Sequence, residues 1–353
     1  MIELLDIDKD DEGLSDVTAI PVKSQVVKRF HYALLGLAFC LGCLGMEACR
    51  GEQTQARPLA ARYRLAGPLV PAATTMVTAW DVPDNPLNDS TLGNSPLSEQ
   101  VRWGYQIFVN TPKEAARFTH GKMSCNNCHL NAGQRERSLP VVGVAGVFPE
   151  YNARAGRLIS LTDRIVDCFM RSENGTGAIE DGDGPSAAGD TQGALPSPAS
   201  KEVLAVAAYL TWLSKGYPVG KNPAWRGRNA IPPDKLIPVA KLDARKGEAL
   251  FTEKCTSCHG ADGQGVQIGD KKAGPLWGSD SWNEGAGAAR VYTLAGIIRY
   301  TMPYLDPGSL TDEEAQQLAA FITSKPRSRY PFKTRDYVSA SIPVDAVYYN
   351  ARQ

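Results

Sequence analysis

A chain of 353 residues carries 38 basic and 38 acidic side chains, so its formal net charge is zero and no general attraction to nucleic acid operates. A hydrophobic content of 43% fits a globular protein, while 33 Gly and 24 Pro imply many loops. The length suits about two domains with accessory segments.

The first 20 residues are acidic (Glu3, Asp6, Asp8, Asp10, Asp11, Glu12, Asp16), unlike the start of an export signal. Lys23, Lys28 and Arg29 then precede an apolar run from Tyr32 to Met46. That run is shorter than the roughly 20 residues of a membrane span and has the length of a signal-peptide core. The expectation is a leader over 1–49, a functional start near Val26 and a periplasmic product. Met46-Glu47-Ala48-Cys49 resembles a lipoprotein cleavage site except for Glu47, so lipid anchoring at Cys49 and a free form both stay open. Residues 50–94, with much Pro, Thr and Asn, read as an extended lead-in.

Ser95-Pro96 places a cap before a Pro at the first helical position, and Leu97, Val101, Gly104 and Phe108 recur at helical spacing. Cys125-Asn126-Asn127-Cys128-His129 follows, with the Cys-x-x-Cys-His spacing of c-type haem attachment. Two thiols a turn apart can bond the porphyrin vinyls, and the adjacent His is placed to ligate the iron. Cys255-Thr256-Ser257-Cys258-His259 repeats the motif after a like preface, Asp243 as cap and then Gly247, Leu250 and Phe251. Neither motif has the second ligand pair of a zinc finger. In each preface the Gly would let another helix approach closely, and the aromatic would pack beside the cofactor.

A closing helix is expected after each motif. The first starts at Ser200 and carries Leu204, Ala208, Tyr209, Trp212 and Leu213; the second starts at a Thr311-x-x-Glu314 capping box and carries Leu318, Phe321 and Ile322. The mainly α architecture therefore comprises a first domain over 95–216 and a second over 241–325. A proline-rich linker, 217–240, joins them, and an aromatic-rich tail, 326–353, is expected to pack across a domain surface. Gly175 to Ser200 reads as a flexible insertion.

Of the eight cysteines, Cys40, Cys43 and Cys49 belong to the leader and four to the haem motifs, which leaves Cys168. It stands among Arg154, Arg157, Arg164 and Arg171, whose charges would favour a thiolate, both nucleophile and ligand. On a helix Arg164, Cys168, Arg171 and Ser172 would share one face. A buried inert thiol beside a solvated basic face is the alternative. Met302, between the second motif and its closing helix, is the candidate distal ligand of the second iron; a core methionine is the alternative.

The doubled helix–motif–loop–helix unit resembles tandem class I cytochrome c domains, each wrapped around one covalently bound haem c. Gly274-Pro275-Leu276 is similar to that family's loop, which implies a Pro275 carbonyl steadying His259. More specifically, several segments resemble the dihaem thiosulfate dehydrogenases, relatives of the SoxA cytochromes. They are Ser124–Gly133, Phe148–Tyr151, Arg154–Arg157, Asp163–Gly175 and Ala207–Gly216. The resemblance implies that Cys168 is active-site residue and distal ligand of the first iron, and Met302 that of the second. It implies anion-binding roles for Arg154, Arg164 and Ser172, and oxidation of two thiosulfates to tetrathionate, reversibly. The electrons would pass through two haems to a small periplasmic carrier such as another cytochrome c. Some members carry Lys before the methionine as an exchangeable ligand; this chain has Thr301, so that exchange is not open to it. Net tetrathionate reduction, or electron carriage without a substrate, are the alternative readings.

Overall fold

The structure is a computed structural model that describes residues 84–177, 195–268 and 271–350. The expected leader with Cys40, Cys43 and Cys49, and residues 178–194 of the expected insertion, lie outside the described residues. Among the described residues no helix is long and apolar enough to cross a membrane.

Six helices build two units of the same plan. The first unit has α1 (Pro96–Val109), α2 (Leu161–Ser172) and α3 (Lys201–Leu213). The second has α4 (Ala244–Lys254), α5 (Val291–Thr301) and α6 (Asp312–Thr323). A two-stranded antiparallel hairpin, β1 (Glu150–Asn152) and β2 (Arg157–Ile159), leads into α2. A smaller one, β3 (Gln267–Ile268) and β4 (Lys271–Lys272), follows the second haem motif.

Local chemistry sets the helix starts. Ser95 Oγ accepts from Ser98 N at 3.2 Å with Pro96 at the first position, and Asp243 Oδ1 accepts from Arg245 N at 2.9 Å. Thr311 and Glu314 close the expected reciprocal box, at 3.1 and 2.7 Å. Ser200 holds the cap position of α3, but its hydroxyl accepts instead from Ser197 N.

The prefaces do what their glycines imply. A Cβ on Gly104 would strike the Ala205 carbonyl of α3, and one on Gly247 the Gln317 carbonyl of α6. In each unit, therefore, the first helix meets the closing helix backbone to backbone at one point. Around these contacts lie two cores. The first includes Val101, Ile107, Phe108, Phe169, Tyr209 and Leu213, the second Phe251, Leu294, Ile298, Leu318, Phe321 and Ile322. Leu97 and Leu204, expected on the inward faces, are instead exposed: Leu97 precedes the first buried residue of α1, and Leu204 lies on the outer face of α3 between buried Val203 and Ala205.

The proline-rich stretch is seated on both units. Trp225 Nε1 donates to the Val142 carbonyl at 2.9 Å, and Ile237 N to Gln316 Oε1 at 2.8 Å. The tail also does structural work: Asp345, buried, pairs with Arg290 at 2.7 Å and accepts from Tyr292 N, supplying the start of α5 with the cap that Arg290 lacks.

Candidate haem and anion site

The first motif is a single helical turn, Cys125–Cys128, closed by Ser124 N donating to Asn127 Oδ1 at 2.7 Å. Thr111 holds its start, accepting from Cys125 N at 3.2 Å. The two cysteine thiols are enclosed, and burial pushes Cys128 up to about 12. His129 lies 6.0 Å from the Phe108 ring, so the preface aromatic does stand beside the proximal residue. Burial lowers the pKa of His129 and keeps the ring neutral, the form a metal needs. Its Nδ1 meets the Leu139 carbonyl at 2.5 Å, which leaves Nε2 free to ligate.

The second motif turns at Thr256–His259, directly after Cys255. Here the expected support of His259 is corrected. The Pro275 carbonyl is taken by the Ser281 hydroxyl at 2.9 Å. Burial lowers the pKa of His259 against the smaller opposing effect of the neighbouring Gly274 carbonyl, and no full hydrogen bond closes on Nδ1. Ser281 is itself buried, so its bond to Pro275 belongs to the internal packing of the loop. Met302 caps the end of α5 and packs on the second core, as do Cys255 and Trp277. Each unit thus offers two adjoining thiols and a buried neutral imidazole against an apolar wall. This donor set fits covalent haem c, and an Nδ1 without a partner is compatible with a ring held by its other nitrogen.

Cys168 is half-buried on α2, close enough to Cys125 and Cys128 for a charge on it to raise both thiols. Its own pKa is raised: burial dominates, Arg164 and Arg154 pull it down, and Asp167 and Glu173 push it up. The arginines act in the expected direction but do not outweigh burial.

The arginine group divides. Arg164, exposed on α2, has its charge felt at both Cys168 and His129. Arg154, in the turn between β1 and β2, donates to the Gly285 carbonyl at 3.0 Å and has Asp167 at 3.7 Å. Arg157 points away, 59% exposed and paired with Asp163. Arg171, expected on the same face, is bound bidentately by Asp336 of the tail, at 2.7 and 2.8 Å. Ser172 occupies the last turn of α2, four residues beyond Cys168.

Three features escaped the sequence. Glu173 is buried with Oε2 unpartnered, close enough to Cys125, Cys128 and Cys168 to affect all three, and burial raises it to about 8. Asp336 lies more than 160 residues from Arg171, and no local pattern announces such a pair. Thr301 is buried and donates to the Arg137 carbonyl at 3.1 Å, joining the units beside Met302.

Two mainly helical units, each built on a Cys-x-x-Cys-His turn, make this a tandem c-type cytochrome with covalently attached haem. Residues 114–219 match the family model for the SoxA/TsdA cytochrome c domain, and residues 242–322 that for subunit III of cbb3-type cytochrome c oxidase. The chain is 38% identical to the thiosulfate dehydrogenase of Allochromatium vinosum, over 80% of this chain and 97% of that protein. It is 30% identical to that of Psychrobacter arcticus, over 90% and 97%. Thiosulfate dehydrogenase (TsdBA) from Marichromatium purpuratum, in its as-isolated form, superposes with a TM-score of 0.60 at 31% identity. That match covers 72% of this chain and half of the other. The chain belongs to the thiosulfate dehydrogenase family.

Proposed function

We propose that the chain is a periplasmic dihaem thiosulfate dehydrogenase that couples two thiosulfates into tetrathionate, with catalysis on the Cys168 side. The observation that carries this reading is the placing of Cys168 against the first haem motif, under the charges of Arg164 and Arg154. His129 and Cys168 are the ligands of the first iron, His259 and Met302 those of the second. The haems supply one-electron acceptors, two of which match the two electrons released.

The substrate is a dianion, so two of them approach only where positive charge is fixed. Arg164 reaches solvent and suits capture, while the partly enclosed Arg154 suits holding, with the Ser172 hydroxyl as a further donor. In the first half-reaction the Cys168 thiolate bonds the outer sulfur of one thiosulfate, and two electrons leave. In the second, the outer sulfur of another thiosulfate attacks the substrate sulfur of that adduct. The bond to Cys168 breaks, tetrathionate departs and the thiolate returns, so charge and atoms balance. Run backwards, the same steps reduce tetrathionate.

Electron flow toward the second haem is supported by unequal imidazoles. The Leu139 carbonyl bonds His129 Nδ1 and enriches that ring, whereas the Gly274 carbonyl beside His259 closes no full hydrogen bond on it. Methionine ligation adds to the difference, since a thioether favours ferrous iron. The exit partner is a small cytochrome-type carrier, and export through the 1–49 leader places the reaction in the periplasm, with or without a lipid at Cys49.

The deciding experiment compares reduced and oxidised spectra with and without thiosulfate, alongside dye-coupled assays in both directions. Thiosulfate should reduce the haems of the wild type. Cys168→Gly should keep two covalent haems per chain and lose turnover both ways; retained turnover refutes the role of Cys168.

A further inference from the structure

A five-residue stretch beyond the first haem motif serves both haem sites at once. The Leu139 carbonyl faces His129 Nδ1 at 2.5 Å. Two residues earlier, the Arg137 carbonyl accepts from the Thr301 hydroxyl at 3.1 Å and also from Asn229 Nδ2. Two residues earlier again, Arg135 Nη2 donates to the Tyr304 carbonyl at 3.0 Å, and its guanidinium lies 4.6 Å above the Tyr304 ring. Thr301 and Tyr304 bracket Met302. Arg137 and Leu139 both adopt left-handed backbone, at φ 58° and 50°, a sharply turned path that non-glycine residues take only where the surroundings fix them. Thr301 is 1% exposed, so its hydroxyl has no water to turn to.

We propose that Arg135–Leu139 is a coupling element between the two haem centres, and that Thr301 is the positioning residue that locks the Met302 loop onto it. The inference rests on the reading above of His129 and Met302 as ligands. One short, tightly turned segment holds the proximal imidazole of one centre and the distal loop of the other, so neither can shift without loading the other. Threonine is suited to this place because a short hydroxyl reaches the Arg137 carbonyl without leaving the core. Removing the bond frees the Met302 loop, and a weaker thioether hold lowers the second potential. The Arg137 peptide, then held by Asn229 alone, also slackens the Leu139 carbonyl against His129. The imidazole becomes a poorer electron donor and the first potential rises. The two potentials move toward each other.

The test is a spectroelectrochemical titration of the dihaem holoprotein carrying Thr301→Val, against wild type and Thr301→Ser. Thr301→Val should lose part of the methionine–iron signature, with a lower second and a higher first midpoint potential. Thr301→Ser, which keeps the hydroxyl, should retain wild-type values. A first potential unmoved by Thr301→Val overturns the coupling, whatever the second haem does. Should that variant fail to assemble, Arg135→Met removes the Tyr304 contact instead and must narrow the gap in the same way; an unchanged first potential again overturns the coupling. A wild type without any methionine signature overturns the ligand reading, a separate failure visible before a variant is made.

Discussion

Cys168 stands where burial and two guanidinium groups oppose each other, and the balance sets its chemistry. Burial raises the thiol and Arg164 and Arg154 lower it; in the proposed reaction the same two charges would receive the incoming anion. Charge-assisted hydrogen bonds contribute about 1.5–3 kcal/mol, so Arg154→Gln or Arg164→Gln should lower kcat/KM for thiosulfate by roughly ten- to a hundredfold. The haem content should stay constant, and steady-state kinetics on the purified variants checks both. Glu173 gives a pH prediction of definite sign. Burial raises it to about 8, above the roughly 4.3 of an unfolded glutamate. The native chain binds this proton more tightly, so the stabilisation is complete below about pH 4 and is lost as pH climbs through 8. Glu173→Gln should therefore hold its melting temperature between about pH 5 and 9, where the wild type declines. Cys168 was legible as the one cysteine left over among arginines. Glu173 was not, because a carboxylate in Arg-Ser-Glu-Asn looks solvated until the fold closes over it.

At the scale of elements, the paired glycines are the clearest case of sequence declaring structure. Gly104 and Gly247 sit at matching places in the repeat, and each faces a backbone carbonyl of its closing helix. Neither carbonyl can retreat without breaking its own helix. Gly104→Ala and Gly247→Ala should each destabilise by about 1–3 kcal/mol, as overpacking does, and differential scanning calorimetry of the holoprotein measures it. Helix starts were equally readable at Ser95, Asp243 and Thr311, since capping needs only neighbours in the chain. The start of α5 was not readable, because its cap, Asp345, arrives from the tail 53 residues beyond Tyr292. The loop carbonyl behind His259 failed for a similar reason. Ser281 bonds the Pro275 carbonyl while Gly274 is the one beside His259, and that arrangement exists only once the loop is folded.

Across the whole molecule, the tail draws the two units together around Arg154 and Arg171. Asp336 binds Arg171 of α2, and the neighbouring Tyr337 N donates to the Arg154 carbonyl at 2.8 Å. Gly285 of the second unit accepts from both Arg154 and Arg171. Breaking a buried pair from one side strands a charge, so Asp336→Ala should cost about 3–5 kcal/mol, while Arg171→Met with Asp336→Leu should recover much of it. Urea unfolding of the three holoproteins compares them. The sequence by itself determined the tandem cytochrome c units, their two Cys-x-x-Cys-His turns, most helix starts and the identity of Cys168 as the odd thiol. Those signals depend on spacing within a few residues, which a chain carries before it folds. Only the tertiary structure decided which arginines face Cys168 and which are taken up by Asp163 and Asp336. Only it showed that one segment, Arg135–Leu139, touches both His129 and the residues that bracket Met302. Partners so far apart are chosen by packing, where every buried donor must find the acceptor the fold brings to it.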